Sequence, residues 1–160
     1  MSEEAHPDLR IAVEQPNRPD ILALLHMHLE EMHRYSPSCK VNALPATKLA
    51  GQGVTFFAAR GGDDLAAIGA LKRIDAERCE IKSMRASADW RGKGAGKAML
   101  DHLLDTARAR GCTWVGLETG RHPVFEPATK LYSSRGFAEC EAFEDYESDD
   151  FSMCMSLELK

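Results

Sequence analysis

The stretch "SADWRGKGAGKAMLDHLL", residues 87–104, sets glycines at 92, 94 and 96 and then runs directly into a helical pattern. A helix start leaves backbone N–H groups without partners and carries a partial positive charge. Glycines there let bare main chain approach an anion with no Cβ in the way. Arg91, Lys93 and Lys97 add mobile positive charge around the same point. The junction therefore reads as a phosphate cradle, set against the plainer reading of a flexible turn that binds nothing. Spacing separates the ligands. A P-loop needs GxxxxGK[ST], whereas Gly92 and Gly96 are too close and Ala98 follows Lys97. A dinucleotide fingerprint needs GxGxxG early in a βαβ unit, whereas this segment is GxGxG after strands that read as antiparallel.

The rest of the chain places that junction. "LRIAVEQ" (9–15) alternates like a strand, and Ile21, Leu24, Leu25, His28, Leu29, Met32 and Tyr35 form one stripe of an amphipathic helix. "SPSCKVNALP" reads as a loop and "PATKLA" as a short helical turn. "VTFFAAR", "LAAIGALKRI" and "ERCEIKSMRAS" are three strands joined by short turns, hence antiparallel. The glycine segment leads into a helix to about Arg110, with Met99, Leu100, Leu103, Leu104 and Ala107 inward and Gly111 as its stop. "CTWVGLET" is then reached through a helix and should lie parallel to the strand before it. A short helix over "EPATKLYSSRG" and two strands, "FAECEAF" and "FSMCMSLEL", complete the chain. The expectation is an α/β (α+β) fold in one domain spanning residues 1–160, with about seven strands, mostly antiparallel, and about four helices on both faces of the sheet.

Composition narrows the function classes. A net charge of −5 is not that of a chain built to grip nucleic acid or an anionic membrane. The first residues are acidic without an apolar core, and the longest apolar run, "LAAIGAL", is far short of a membrane span. Five cysteines, Cys39, Cys79, Cys112, Cys140 and Cys154, include no CxxC pair, so the expectation is reduced, mostly buried thiols in a cytoplasmic protein with no zinc site. His26 and His33 share a helix face, but His28 sits roughly 160° from His26, which argues against a metal triad.

The spacing that does fit is R-x-x-G-x-G, met by Arg91, Gly94 and Gly96, followed by "LYSSRGF". On these motifs and the element order the chain resembles the GNAT superfamily of acetyl-CoA-dependent N-acetyltransferases. "SPSCKVNAL", "EIKSMR", "LETG", "FEPATKLY" and "GFAECEAFEDY" look like a small bacterial subgroup of it. The resemblance implies a mixed sheet splayed in its middle. It implies that Arg91, Gly92, Lys93, Gly94, Ala95, Gly96 and Lys97 hold the coenzyme pyrophosphate. Met84, Arg85 and Ala86 would offer backbone groups to pantetheine and to the acetyl carbonyl, with one N–H stabilising an oxyanion. Acetyl-CoA is then the acyl-donor substrate, no metal takes part, and a homodimer is a family-based expectation.

Acetyl transfer to an amine needs two proton movements, one off the ammonium and one onto the departing thiolate. Tyr132 matches the family tyrosine that serves as general acid. Glu80, read as sharing the facing parity of Met84, is the candidate general base; the alternative is a strand carboxylate paired with Lys82 or Arg78. No cysteine has a histidine beside it in sequence, so direct transfer in a ternary complex is expected over an acyl-enzyme. The acceptor is expected to be a small-molecule amine. Arg85, Lys40 and Arg121 would suit a carboxylate, while the acidic run "EAFEDYESDD" (141–150) would suit a cation or be merely a solvated loop. A non-catalytic acyl-CoA-binding or regulatory module on the same scaffold is the alternative function.

Overall fold

The computed structural model describes residues 9–35, 53–144, 146 and 149–159. Among these residues seven strands form one sheet in the order β1-β2-β3-β4-β5-β7-β6: β1 (Leu9–Val13), β2 (Val54–Gly61), β3 (Asp64–Arg73), β4 (Arg78–Ala86), β5 (Trp114–Gly120), β6 (Ala138–Cys140) and β7 (Ser152–Glu158). Every pairing is antiparallel except β4 with β5. That exception follows from the helix between them, because a crossover returns the chain in the same direction. Among the described residues there are three α-helices, α1 (Pro19–Tyr35), α2 (Ala95–Ala109) and α3 (Glu126–Ser134), and 3-10 turns at Ala88–Trp90 and Pro123–Phe125. The helical turn expected over "PATKLA" and the loop "SPSCKVNALP" lie outside the described residues.

The two faces are covered by different elements. Ile21, Leu24 and Leu25 of α1 pack on Phe56, Ala58, Ile68 and Ala70. Met99, Leu100, Leu103, Leu104 and Ala107 of α2 are all buried on the opposite face, with Leu131 and Tyr132 of α3 in the same cluster. The start of α1 is pinned by Arg60 of β2, which is 8% exposed and donates to Glu14 at 2.8 Å and to Asp20 at 2.7 Å. The last two strands are not neighbours in chain order, since β7 inserts between β5 and β6. Both faces of β7 are covered, so Cys154 on one face is buried as deeply as Met155 on the other.

Two features of β4 set the geometry of its far end. Its pairing with β5 spans only Arg78↔Trp114, Cys79↔Val115 and Glu80↔Gly116, after which the strands part. Its pairing with β3 slips between Ile68↔Arg85 and Ala70↔Lys82, two residues against three, with Ser83 at φ 53°. This bulge inserts one extra residue and reverses the facing parity beyond it. Cys79 and Ile81 thus share the α2 face with Met84 and Ala86, and Glu80 does not. The inference that Glu80 and Met84 face the same way is corrected accordingly.

The thiols also differ from expectation. Cys79 and Cys112 are joined as a disulfide between β4 and the turn before β5, with Cα atoms 6.5 Å apart, where separate reduced thiols were expected. Cys140 and Cys154 are free and stand opposite one another on β6 and β7.

Candidate active site

Where β4 and β5 part, a cleft of about 540 Å³ passes between them. It is lined from one face of the sheet by His28, Glu31 and Met32 of α1 and from the other by Ala128, Leu131 and Tyr132 of α3. Met84, Arg85 and Ala86 form one wall, and Leu117, Glu118 and Thr119 of β5 form the other. Beyond Glu80 the β5-facing edge of β4 has no strand partner among the described residues, so main-chain groups along it are open to an extended ligand. Ser83, also on the wall, has a buried Oγ with no hydrogen-bond partner.

The glycine junction closes one end of the cleft through Arg91, Gly92, Gly94, Ala95, Gly96 and Lys97. Gly92 and Gly94 have φ 75° and 87°, a left-handed conformation that non-glycine residues adopt at a cost. Gly94 is the N-cap of α2 and uses no side-chain cap. The amides of Arg91 and Lys93 are spent on the turn, donating to the carbonyls of Ala88 and Trp90. Among the described residues, those of Gly92, Gly94, Ala95, Gly96 and Lys97 make no such bond, and the first helical bond runs from Ala98 to Gly94. These open amides at a helix start suit a diphosphate. Lys93, by contrast, does not line the cleft; its ammonium lies 5.9 Å from the centroid of the Trp90 ring. Trp90 is seated against Gly61, where a Cβ would come within 2.3 Å of the indole. The loop is thereby held to the end of β2.

Tyr132 is 6% exposed and its side chain makes no hydrogen bond in the described structure. Burial pushes its phenol up to about 12, so the proton stays on oxygen at any working pH.

A family model described as acetyltransferase (GNAT) matches residues 21–137. The chain belongs to the GNAT acetyltransferase family. Among its relatives is the "uncharacterized N-acetyltransferase YsnE" of Bacillus subtilis (strain 168), 42% identical over 151 residues, which cover 94% of this chain and 100% of that protein. A solved structure described as a "putative acyl-CoA N-acyltransferase", from Klebsiella pneumoniae subsp. pneumoniae, superposes with a TM-score of 0.76 at 26% identity, covering 95% of this chain and 98% of that one. A GNAT acetyltransferase from Elizabethkingia anophelis with acetyl-CoA bound has the same fold, with a TM-score of 0.68 at 16% identity over 96% of this chain and 100% of that one. As a GNAT acetyltransferase the chain transfers an acyl group from acetyl-CoA, and the open amides, the unpaired edge of β4 and the orphaned Ser83 hydroxyl fit such a donor.

In this GNAT chain Glu80 does not line the cleft. It is 1% exposed, pairs with Lys82 at 3.1 Å, and accepts a short hydrogen bond from the Tyr146 hydroxyl, to which Lys82 also donates. The alternative reading, a strand carboxylate paired with Lys82, describes this arrangement. Burial, followed by the Glu80 charge, raises the Tyr146 phenol far above its ordinary range. Tyr146 and Phe143 come from the acidic run: Phe143 is buried edge-to-face on Trp114, 5.1 Å between centroids. That run is therefore no merely solvated loop; its aromatic residues roof β5 on the α1 side of the sheet.

Three wall residues carried no sequence signal as site residues. Glu31 of α1 accepts from Arg85 Nη1 at 2.8 Å, His28 Nδ1 lies 3.5 Å from the same nitrogen, and Glu118 stands across the gap on β5. Burial opposes the Glu31 charge, but the hydrogen bond and charge of Arg85 hold its carboxyl below the ordinary value. Burial first, and then the Arg85 charge, press the His28 imidazole down to about 4. Because that value lies below the 6.5 of the free side chain, the unfolded chain binds the proton first as pH falls. Stability should accordingly decline between pH 6.5 and about 4, by at most about 3 kcal/mol. Urea unfolding measured across that window should show the decline in the native chain and a flatter profile in His28→Gln.

Among the described residues no group of His, Cys, Asp and Glu is arranged to hold a metal ion, and no helix is long and apolar enough to cross a membrane.

Proposed function

We propose that this enzyme acetylates the primary amine of a small molecule by direct attack in a ternary complex with acetyl-CoA. The observation that carries the reading is the cleft through the sheet, with the open amides of the glycine junction at one end and the Tyr132 side chain on its wall. Bound acetyl-CoA supplies a thioester carbonyl activated toward a nitrogen nucleophile. The cradle of Gly92, Gly94, Ala95, Gly96 and Lys97 binds the diphosphate, and Arg91 neutralises part of its charge. The free edge of β4 at Met84, Arg85 and Ala86 orients the pantetheine and donates an N–H toward the carbonyl oxygen. The amine nitrogen bonds to the acetyl carbon as the carbon–sulfur bond breaks. The Tyr132 hydroxyl gives its proton to the departing sulfur, and the proton lost from nitrogen passes to solvent. No cysteine among the described residues lines the cleft, which supports direct transfer over an acyl-enzyme. Glu80, held by Lys82 and Tyr146, fixes the roof over β5.

Calorimetry with acetyl-CoA, CoA, ATP and NAD tests the donor half: the two coenzyme A species should bind and the two nucleotides should not. Thiol release in a screen of amines then tests transfer. Acetyl-CoA binding without release by any amine would favour a non-catalytic acyl-CoA-binding module.

A further inference from the structure

The acceptor side of the gap contains a charge pattern that the donor does not use. The bulge at Ser83 sends Met84 and Ala86 to the α2 face and turns the Arg85 side chain the other way, onto α1. That side chain is 10% exposed and lines the cleft. Among the described residues both of its polar contacts fall on one nitrogen, Nη1, which donates to Glu31 and lies beside His28. Its Nε is buried and has no partner. On a guanidinium the Nε–H and the neighbouring Nη2–H point side by side at the spacing of two carboxylate oxygens. An ion pair with Glu31 needs only the Nη1 end, so among the described residues nothing engages the fork that would clasp a second carboxylate.

The other cations that would suit a carboxylate are engaged elsewhere. Arg121 donates to Glu139 at 2.7 Å and to the carbonyl of Asp149, and it lines a separate, smaller pocket of about 210 Å³. Lys82 is tied to Glu80 and Tyr146, and Lys40 lies outside the described residues. Around Arg85 the cleft instead presents carboxylates, with Glu31 beside it and Glu118 on the opposite strand. One guanidinium facing a wall with a carboxylate is complementary to a molecule that carries both a carboxylate and an ammonium group.

We propose that the acceptor is a small amino-carboxylate whose carboxylate is clasped by the Nε/Nη2 edge of Arg85, with its amine turned toward the gap between β4 and β5. The assignment rests on the donor reading of the same cleft, and the test keeps the two apart. The full chain is first titrated with acetyl-CoA. Initial rates of thiol release are then measured with the common L-amino acids, with their carboxamides, and with the corresponding amines that lack the carboxyl group. The expected result is turnover of one or more amino acids with a kcat/KM about tenfold or more above that of the matched carboxamide. Arg85→Gln should erase the preference by raising the acceptor KM far more than the donor KM, and Arg85→Lys should restore part of it. Acetyl-CoA binding accompanied by turnover of carboxylate-free amines equally well, or of no amine in the panel, overturns the carboxylate clasp and leaves the donor site standing. Absence of acetyl-CoA binding overturns the donor reading itself. The substrate comparison needs only the native chain, so it decides the matter even if an Arg85 variant does not fold.

Discussion

Tyr132→Phe is expected to lower kcat by about 10²–10⁴-fold, the range associated with loss of a positioned general acid, while acetyl-CoA still binds. The phenol sits in the wall of the cleft and its hydroxyl makes no hydrogen bond within the described protein, so removing one oxygen costs the fold little. Burial holds it at about 12, and the acid is therefore in its competent, protonated form at every practical pH. The acceptor behaves oppositely. A primary ammonium near pKa 10 is competent only once it has lost its proton. The signs combine to give a kcat/KM that climbs with pH toward roughly 10 with no alkaline fall below that point. The Phe variant should retain the climb at a much lower level. Stopped-flow or steady-state thiol release from about pH 6 up to about 10, the approach to the amine's pKa, reads both. An unchanged kcat would remove Tyr132 from the chemistry.

Gly94→Val is the second large effect, and it acts on binding. Gly94 caps α2 at φ 87°, where an L side chain costs about 1–2 kcal/mol and a β-branched one is among the worst accommodated. The chain can relieve that strain only by rotating the peptide that aims the following amides. Since about 1.4 kcal/mol is a factor of ten, the dissociation constant for CoA should rise roughly 5–30-fold. Gly96→Ala is the useful comparison. Gly96 is not left-handed, and its added Cβ would sit 3.6 Å from Leu131, an ordinary contact. A loss of affinity in that variant would report on closeness of the anion to the main chain and not on a twisted backbone. Undiminished CoA affinity in Gly94→Val would show that the amides of this junction do not bind the phosphates.

Local pattern made much of this legible. The helix stripe of α2, the antiparallel run of β2 to β4 and the parallel step into β5 follow from periodicity, turn length and the crossover rule, and all are present. The glycine junction was readable because its function depends on residues that are adjacent in sequence. What escaped depends on partners distant in the chain. The insertion of β7 between β5 and β6 leaves no mark in either strand. The bulge at Ser83 occurs in "EIKSMRAS", without Gly or Pro to announce it, and that single inserted residue moved Glu80 to the other face. The acidic run concealed two aromatic residues whose roles are set by β5 and by Glu80. Cys79 and Cys112 lie 33 residues apart, a spacing that says nothing of their meeting.

The early parting of β4 and β5 has a consequence for traffic. A groove on the surface of a sheet has one mouth, and whatever enters first stands in the way of what comes second. An opening that pierces the layer has two approaches, and here α1 lines it from one face and α3 from the other. Reactants that come from opposite faces need not queue, and neither product stands in the other's way out.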